Sequence, residues 1–264
     1  MSERQVSEPR SALVGPQPNI PIKAGQKHVL ILGGGFAGLA AAKLLADQED
    51  VFVTLLDQRN YHLFQPLLYQ VATAGLNPSD IAVPIRSEFR DVQNVMVRLR
   101  RVTGVDLAGK AVHVEGIAPI GYDYLIVATG AQHSYFGKDQ WESVAPGLKT
   151  LAQATEIRRR ILVAFERAEN ERDPGIQRAL LNFVIVGGGP TGVEMAGAIA
   201  DIARTVLVRD FRRINPSTAR VVLVEGGPRL LAAFDPELSE HTRKDLEAMG
   251  VEVRTGALVT DVDA

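Results

Sequence analysis

The stretch Lys27-His28-Val29-Leu30-Ile31-Leu32-Gly33-Gly34-Gly35-Phe36-Ala37-Gly38-Leu39 decides how this chain folds. His28 to Leu32 is a short apolar run of strand formers, and the glycine cluster Gly33 to Gly38 follows it at once. Leu39 to Ala46 is rich in Ala and Leu and predicts a helix, and Val51 to Leu56 is the next apolar run. Strand, glycine turn, helix and strand make one βαβ unit, which needs a parallel sheet covered on both faces. The pattern returns at Asn182-Phe183-Val184-Ile185-Val186-Gly187-Gly188-Gly189-Pro190-Thr191-Gly192, with a helix predicted over Val193 to Ala203 and a strand over Arg220 to Val224. Pro190 falls near the first turn of that helix, where a missing N–H costs nothing. The unit therefore occurs twice, as two domains and not as a solenoid array.

Between and after the two copies the pattern is less regular. Asn60 to Pro84 carries several turn signals. Asn94 to Asp106 and Lys110 to Glu115 predict a hairpin with Ala108-Gly109 at its turn, and Tyr124 to Ala128 is an apolar run ending in Thr129-Gly130. Thr150 to Glu171 predicts a helix, with Ile157, Ile161, Leu162 and Phe165 at spacings of three and four. Pro236 to Met249 predicts another, capped by Asp235 and stopped by Gly250, and strands are expected over Val251 to Arg254 and Leu258 to Val262. The expected organisation is a disordered tail over 1–26, a first domain over 27–148 and a second over 149–264.

Composition narrows the function classes. Of 264 residues, 46% are hydrophobic and 23% charged, a balance that supports a packed core. A formal charge of -2 gives no electrostatic case for nucleic acid. No run of apolar residues is long enough to predict a transmembrane helix. Cysteine is absent, which excludes disulfide staples, thiolate metal sites and dithiol redox chemistry within this chain. The five His residues lack metal-ligand spacing, so no metal is expected.

The glycine spacing has a chemical reading. The first glycine lets the chain turn off the strand, the second leaves the backbone open to a pyrophosphate, and the third lets the helix pack against the strand. Phosphates then sit on the unpaired N–H groups at the positive end of the helix. Gly33, Gly35 and Gly38 fill these roles in the first copy, and Gly187, Gly189 and Gly192 in the second. An acidic residue ending the second strand takes the ribose hydroxyls. Asp57 is placed for this in the first copy. Glu225 is its counterpart in the second, after a longer spacing that predicts a loop extension over Thr205 to Ala219.

Two such units joined by Tyr122-Asp123-Tyr124-Leu125-Ile126-Val127-Ala128-Thr129-Gly130 resemble the flavoproteins with two dinucleotide-binding domains. The segment Asn60-Tyr61-His62-Leu63-Phe64-Gln65-Pro66-Leu67-Leu68-Tyr69-Gln70-Val71-Ala72 is similar to the signature of type II NADH dehydrogenases, as are Gly192-Val193-Glu194 and Arg209-Asp210-Phe211-Arg212-Arg213-Ile214. The implied fold is α/β, with two Rossmann-like FAD/NAD(P)-binding domains, incomplete at the C-terminus. FAD is expected on Gly33, Gly34, Gly35, Phe36, Ala37, Gly38, Asp57, Gln58, Arg59, Gln65, Pro66, Ala128, Thr129 and Gly130. NADH is expected on Gly187, Gly189, Pro190, Thr191, Gly192 and Glu225. The resemblance implies that Glu194, expected on the first turn of the second helix, places NADH and tunes the charge of the reduced flavin. His62 is a weaker candidate for proton transfer.

The implied reaction is oxidation of NADH by FAD and reduction of a membrane quinone, without proton pumping. Disulfide reductases and sulfide:quinone reductases resemble this layout but work through cysteine pairs that the chain does not contain. A soluble NADH reductase for ferredoxin or another carrier is the alternative enzyme, and a non-catalytic or truncated dinucleotide-binding protein the alternative of another class. The resemblance places the complete protein in the cytoplasm, peripheral on the inner face of the cell membrane. Membrane contact would come through a C-terminal region, and oligomeric state is open, a homodimer included. On this reading the 264-residue chain alone would retain FAD weakly or aggregate.

Overall fold

The computed structural model describes residues 19–263. The chain divides into two compact units, one holding the described residues up to His62 with Val83–Ala131, the other Leu63–Ala82 with the described residues from Gln132 onward. In chain order the first elements are β1 (Lys27–Leu32), α1 (Phe36–Leu45), β2 (Val51–Asp57), β3 (Tyr61–Leu63), α2 (Leu68–Ala72), α3 (Pro78–Ile81) and β4 (Ala82–Pro84). Then come β5 (Val95–Leu99), β6 (Val102–Asp106), β7 (Ala111–Val114), β8 (Ile120–Gly121), β9 (Tyr124–Val127), α4 (Leu151–Asn170) and α5 (Pro174–Leu180). The last are β10 (Asn182–Val186), α6 (Pro190–Asp201), β11 (Arg220–Val224), α7 (Pro236–Ala248) and β12 (Val251–Arg254).

The first unit is built on a parallel sheet of order β5-β2-β1-β9. Alternation along β1 divides its residues between two cores. Val29 and Ile31 join Leu39 and Ala42 of α1, with Val53, Leu55, Ile85, Phe89 and Val97. Leu30 and Leu32 face the other way and pack with Leu56, Val112, Val114 and Ile120. The antiparallel sheet β6-β7-β8 supplies that second cover, so a helix lies on one face and a small sheet on the other. Order in the parallel sheet reverses at β1, whose neighbours β2 and β9 run on either side of it. Crevices at such reversals, beyond the carboxyl ends of the strands, are where open α/β sheets bind ligands.

The predicted hairpin over Asn94 to Asp106 and Lys110 to Glu115 is corrected. Its first arm is two strands: β5 pairs in parallel with β2, Val53 opposite Val95, and only β6 pairs antiparallel with β7. Both halves are apolar enough for a strand, and which partner each takes depends on residues far away in sequence.

The second unit carries the parallel sheet β10-β11-β12, with Asn182 opposite Arg220 and Val221 opposite Val251. Thr150 caps α4 through a reciprocal pair with Gln153, as the sequence at that helix start demands. The long helix buries Ala154, Ile161, Phe165 and Ala168, and α2 packs against it and against α6 through Leu68, Val71 and Ala72. Asp235 caps α7 by accepting from Glu237 N at 3.0 Å, and Gly250 ends the turn beyond it with φ +79°.

Three expectations differ here. The second-copy helix starts at Pro190, not Val193, and continues past Asp201 into a π-helical turn over Ile202–Val206. Glu194 therefore lies in the second turn of α6, not the first. No strand forms over Leu258 to Val262. Gly256 turns at φ +65°, and the following segment makes isolated contacts instead of a ladder, from Lys138 Nζ to Thr260 O and from Trp141 Nε1 to Asp261 Oδ1. Helix α5 was not expected, although Asp173 before Pro174 is a start signal and accepts from Gly175 N at 2.6 Å. The predicted tail lies outside the described residues over 1–18. Within 19–26, Gln26 ties its amide to the Glu49 and Val51 carbonyls.

Candidate dinucleotide-binding sites

Both glycine clusters sit where a parallel strand feeds a helix, and they use their glycines in the same way. Gly33 and Gly187 leave their strands at φ +102° and +107°, which side chains rarely adopt. A Cβ on Gly38 would overlap Gly33 O, and one on Gly192 would overlap Gly187 O. These positions are glycine because the chain's own packing requires it. Gly35 and Gly189 are different. Each has extended backbone, φ -73° and -75°, and a Cβ on either would meet no atom within 4 Å. Nothing within the described chain fills that space, which leaves it open to an approaching group. Each also caps its helix without a side-chain hydrogen bond, so the N–H groups of the first turn are not met by a capping side chain.

The acidic partners repeat as closely. Asp57 accepts from Gly34 N at 2.6 Å through Oδ2 and from Arg59 N at 2.7 Å through Oδ1. Glu225 accepts from Gly188 N at 2.6 Å through Oε2 and from Gly227 N at 2.6 Å through Oε1. Each carboxylate is fixed at both oxygens and keeps acceptor capacity for a ribose diol. Beneath Gly34 and beneath Gly188 lies an aliphatic side chain. A Cβ on Gly34 would come 2.5 Å from Ile85 Cδ1, and one on Gly188 would come 2.6 Å from Leu230 Cδ2.

The remaining first-copy residues divide between the units. Gln58 lines a surface cavity of about 360 Å³ with Leu99, Arg100, Arg101 and Glu115. It adjoins Asp57, whose carbonyl accepts from Arg100 N at 2.8 Å. Ala128 donates its N–H to Leu32 O, and its carbonyl lies against Gly33; Thr129 and Gly130 continue from it, Gly130 at φ +73°. His62 sets Nδ1 3.0 Å from Gly34 O and stands edge-on to the Phe36 ring. Gln65 and Pro66 form a single 3-10 turn that leads into α2, within the second unit.

In the second copy Pro190 and Thr191 open α6. Partial burial pushes the Glu194 carboxyl above the usual carboxylate range although its side chain still reaches solvent. The long spacing to Glu225 is explained by the π-helical turn, 3-10 turns at Leu207–Arg209 and Pro216–Thr218, and the loop between them. That loop is anchored by a residue the sequence did not signal. Glu169, near the end of α4, accepts from Arg212 N, Arg213 N and Ile214 N at 3.0 to 3.1 Å. Burial pushes its carboxyl up, but these three donors outweigh burial and leave it below the usual range. Phe211 lies nearby in a tilted contact with Phe165, 6.0 Å between ring centroids. Arg229 was also unforeseen: its guanidinium donates to the carbonyls of Ala232 and Phe234 and to Ser239 Oγ, shaping the loop between β11 and α7. Among the described residues no cluster of His, Asp and Glu could hold a metal ion. No helix among them is long and apolar enough to cross a membrane.

Two turns of one geometry, each with its carboxylate fixed on the turn, have the form that suits the pyrophosphate and ribose of a dinucleotide. The chain belongs to the pyridine nucleotide-disulphide oxidoreductase family, whose model matches residues 27–264. It is similar to a type II NADH:quinone oxidoreductase of Mycobacterium tuberculosis, with 45% identity over 95% of this chain and 55% of the relative. It is also similar to an external alternative NADH-ubiquinone oxidoreductase of Yarrowia lipolytica, with 32% identity over 94% of this chain and 44% of the relative. Among solved structures, NDH2 from Plasmodium falciparum in complex with NADH matches at a TM-score of 0.82 and 27% identity, covering 90% of this chain and 49% of that one. The chain thus spans about half the length of the curated relatives it matches.

Proposed function

We propose that this chain carries the FAD and NADH sites of a non-proton-pumping NADH:quinone oxidoreductase. The observation that carries the reading is the duplicated turn, with Gly35 and Gly189 left open and Asp57 and Glu225 held alike. The relatives' names, type II NADH:quinone oxidoreductase and NADH-ubiquinone oxidoreductase, supply the acceptor.

The first turn, Gly33 to Gly38 with Phe36 and Ala37 at the helix start, would hold the pyrophosphate of FAD on the α1 dipole. Asp57 would take a ribose hydroxyl, Gln58 and Arg59 would border the adenosine, and Ala128, Thr129 and Gly130 would flank the cofactor where the chain leaves β9. Gln65 and Pro66 belong to this site by resemblance to the family signature. FAD supplies the acceptor for hydride from NADH and the donor of electrons to quinone. Gly187, Gly189, Pro190, Thr191 and Gly192 would hold the pyrophosphate of NADH, and Glu225 its adenosine ribose. Glu194 would place NADH, its raised pKa letting the carboxyl keep a proton more readily than an ordinary glutamate. The proposed domains are 27–148 for FAD and 149–264 for NADH. The complete protein would work as a peripheral protein on the inner face of the cell membrane.

The test is an absorbance spectrum of the full-length protein before and after anaerobic NADH, then steady-state turnover with a short-chain quinone. A flavin spectrum bleached by NADH, with quinone turnover, is the expected result. Absence of flavin, or turnover only with a protein carrier, would refute the reading.

A further inference from the structure

The two turns differ in the donor that meets the carbonyl of Gly34 in one and of Gly188 in the other. Gly188 O accepts from the backbone N–H of Leu231 at 2.8 Å. Gly34 O has a side chain in that role, His62 Nδ1 at 3.0 Å. A carbonyl can only accept, so this nitrogen carries the proton. The imidazole is held by its edge-on contact with Phe36, 5.0 Å between centroids and 89° between planes.

The consequence follows from peptide geometry. Gly34 C=O and Gly35 N–H belong to one planar trans peptide and point in opposite directions. Fixing the carbonyl on His62 therefore aims Gly35 N–H the other way. Asp57 fixes the preceding peptide through Gly34 N–H. Two adjoining peptides are thus locked, one by a carboxylate and one by an imidazole. In the second copy Glu225 and Leu231 lock the matching pair. Glycine at both positions leaves such peptides free to rotate in the absence of these bonds.

We propose that His62 is a positioning residue of the first dinucleotide site, locking the Gly34–Gly35 peptide so that Gly35 N–H is turned toward the diphosphate of the bound cofactor. The proposal rests on the reading of that site as the FAD site. It assigns His62 no proton transfer, and it gives the Gly34 carbonyl a side-chain donor from beyond β2 where the Gly188 carbonyl has a backbone N–H.

The test uses the full-length protein with His62→Leu, His62→Asn and His62→Gln. FAD affinity is measured by reconstituting the apoprotein, and NADH affinity at the second site is measured in the same samples. Asn places its amide nitrogen near the Nδ1 position, whereas Gln places it near Nε2. His62→Leu should weaken FAD binding about three- to tenfold, the effect of one lost hydrogen bond, with NADH affinity unchanged. His62→Asn should recover most of the loss and His62→Gln should not. FAD held as tightly by His62→Leu as by the wild type would overturn the proposal. So would equal affinities in the Asn and Gln variants, a comparison that decides the matter even if the Leu variant does not fold. Wild-type protein that binds NADH but no flavin would overturn the cofactor reading instead, and this proposal with it.

Discussion

Replacing Gly35 by valine should remove FAD from the protein and leave its fold in place. The backbone at Gly35 is extended, with φ -73° and ψ -165°, a conformation that suits a β-branched residue. A Cβ there meets no protein atom within 4 Å. The apoprotein should therefore lose no more than about 1 kcal/mol, chiefly because valine caps a helix less well than glycine. The bound state is another matter, since the valine methyls would occupy the space left for the diphosphate. Charge-assisted hydrogen bonds contribute about 1.5–3 kcal/mol each. Losing two weakens binding by roughly two to four orders of magnitude. The assay is the flavin-to-protein ratio of purified full-length protein beside the melting temperature of its apo form. Gly38→Ala is the contrasting variant: its Cβ would overlap Gly33 O, so it should lower apo stability as well as flavin content. A yellow Gly35→Val protein with unchanged stoichiometry would refute the placement of FAD on this turn.

Glu225→Ala should raise the KM for NADH and narrow the preference over NADPH, because the carboxylate that would repel a 2′-phosphate also fixes Gly188 and Gly227. Like charges in a partly dry site differ by a few kcal/mol, so at least a tenfold wild-type preference for NADH in kcat/KM is expected, and equal use of both cofactors by the wild type would contradict it. Glu169→Gln should speed tryptic cleavage after Arg209, Arg212 or Arg213 by loosening the loop, and unchanged cleavage would show that Glu169 does not anchor it. The folded pKa of Glu169 lies below 4.5, so its contribution is complete above that pH and is lost as pH falls through the lowered value; the difference in melting temperature between wild type and variant should shrink in the same direction. Burial lowers the pKa of His28 below 6.5, so its protonation favours unfolding, and the melting temperature should fall as pH drops below that value; a flat profile through this range would contradict the assignment.

What the sequence revealed was what neighbours in the chain determine. The strand, glycine turn and helix of each copy need only local residues, and the glycine spacings that the geometry requires at Gly33, Gly38, Gly187 and Gly192 were readable. The division of Asn94 to Asp106 into β5 and β6 was not, because β5 is claimed by β2 and β6 by β7. Leu258 to Val262 looked like a strand on apolar content alone, and no partner strand pairs with it among the described residues. Glu169 and Arg229 went unnoticed for a different reason. A carboxylate on a helix or an arginine in a loop has no distinctive spacing, and each acquires its role only when a remote backbone is folded against it. For His62 the residue was visible and its partner was not, since Gly34 lies on the other side of a helix and a strand in sequence. The loop before Glu225 was foreseen in extent but not in its anchoring.

The placement of α2 has a consequence for how the protein is made. Its buried face, Leu68, Val71 and Ala72, packs on α4 and α6 of the second unit, yet it is translated before residues 83–131 of the first. On the ribosome those side chains emerge long before the helices that cover them. The chain between, residues 83–131, must assemble its sheet while that apolar turn waits in solvent. Contacts so distant in sequence form late and leave the nascent chain open to association and to chaperone capture. A dissection of the protein that stops at Ala131 would make this exposure permanent, whereas one that carries Leu63–Ala82 together with the second unit would keep the helix with its own core.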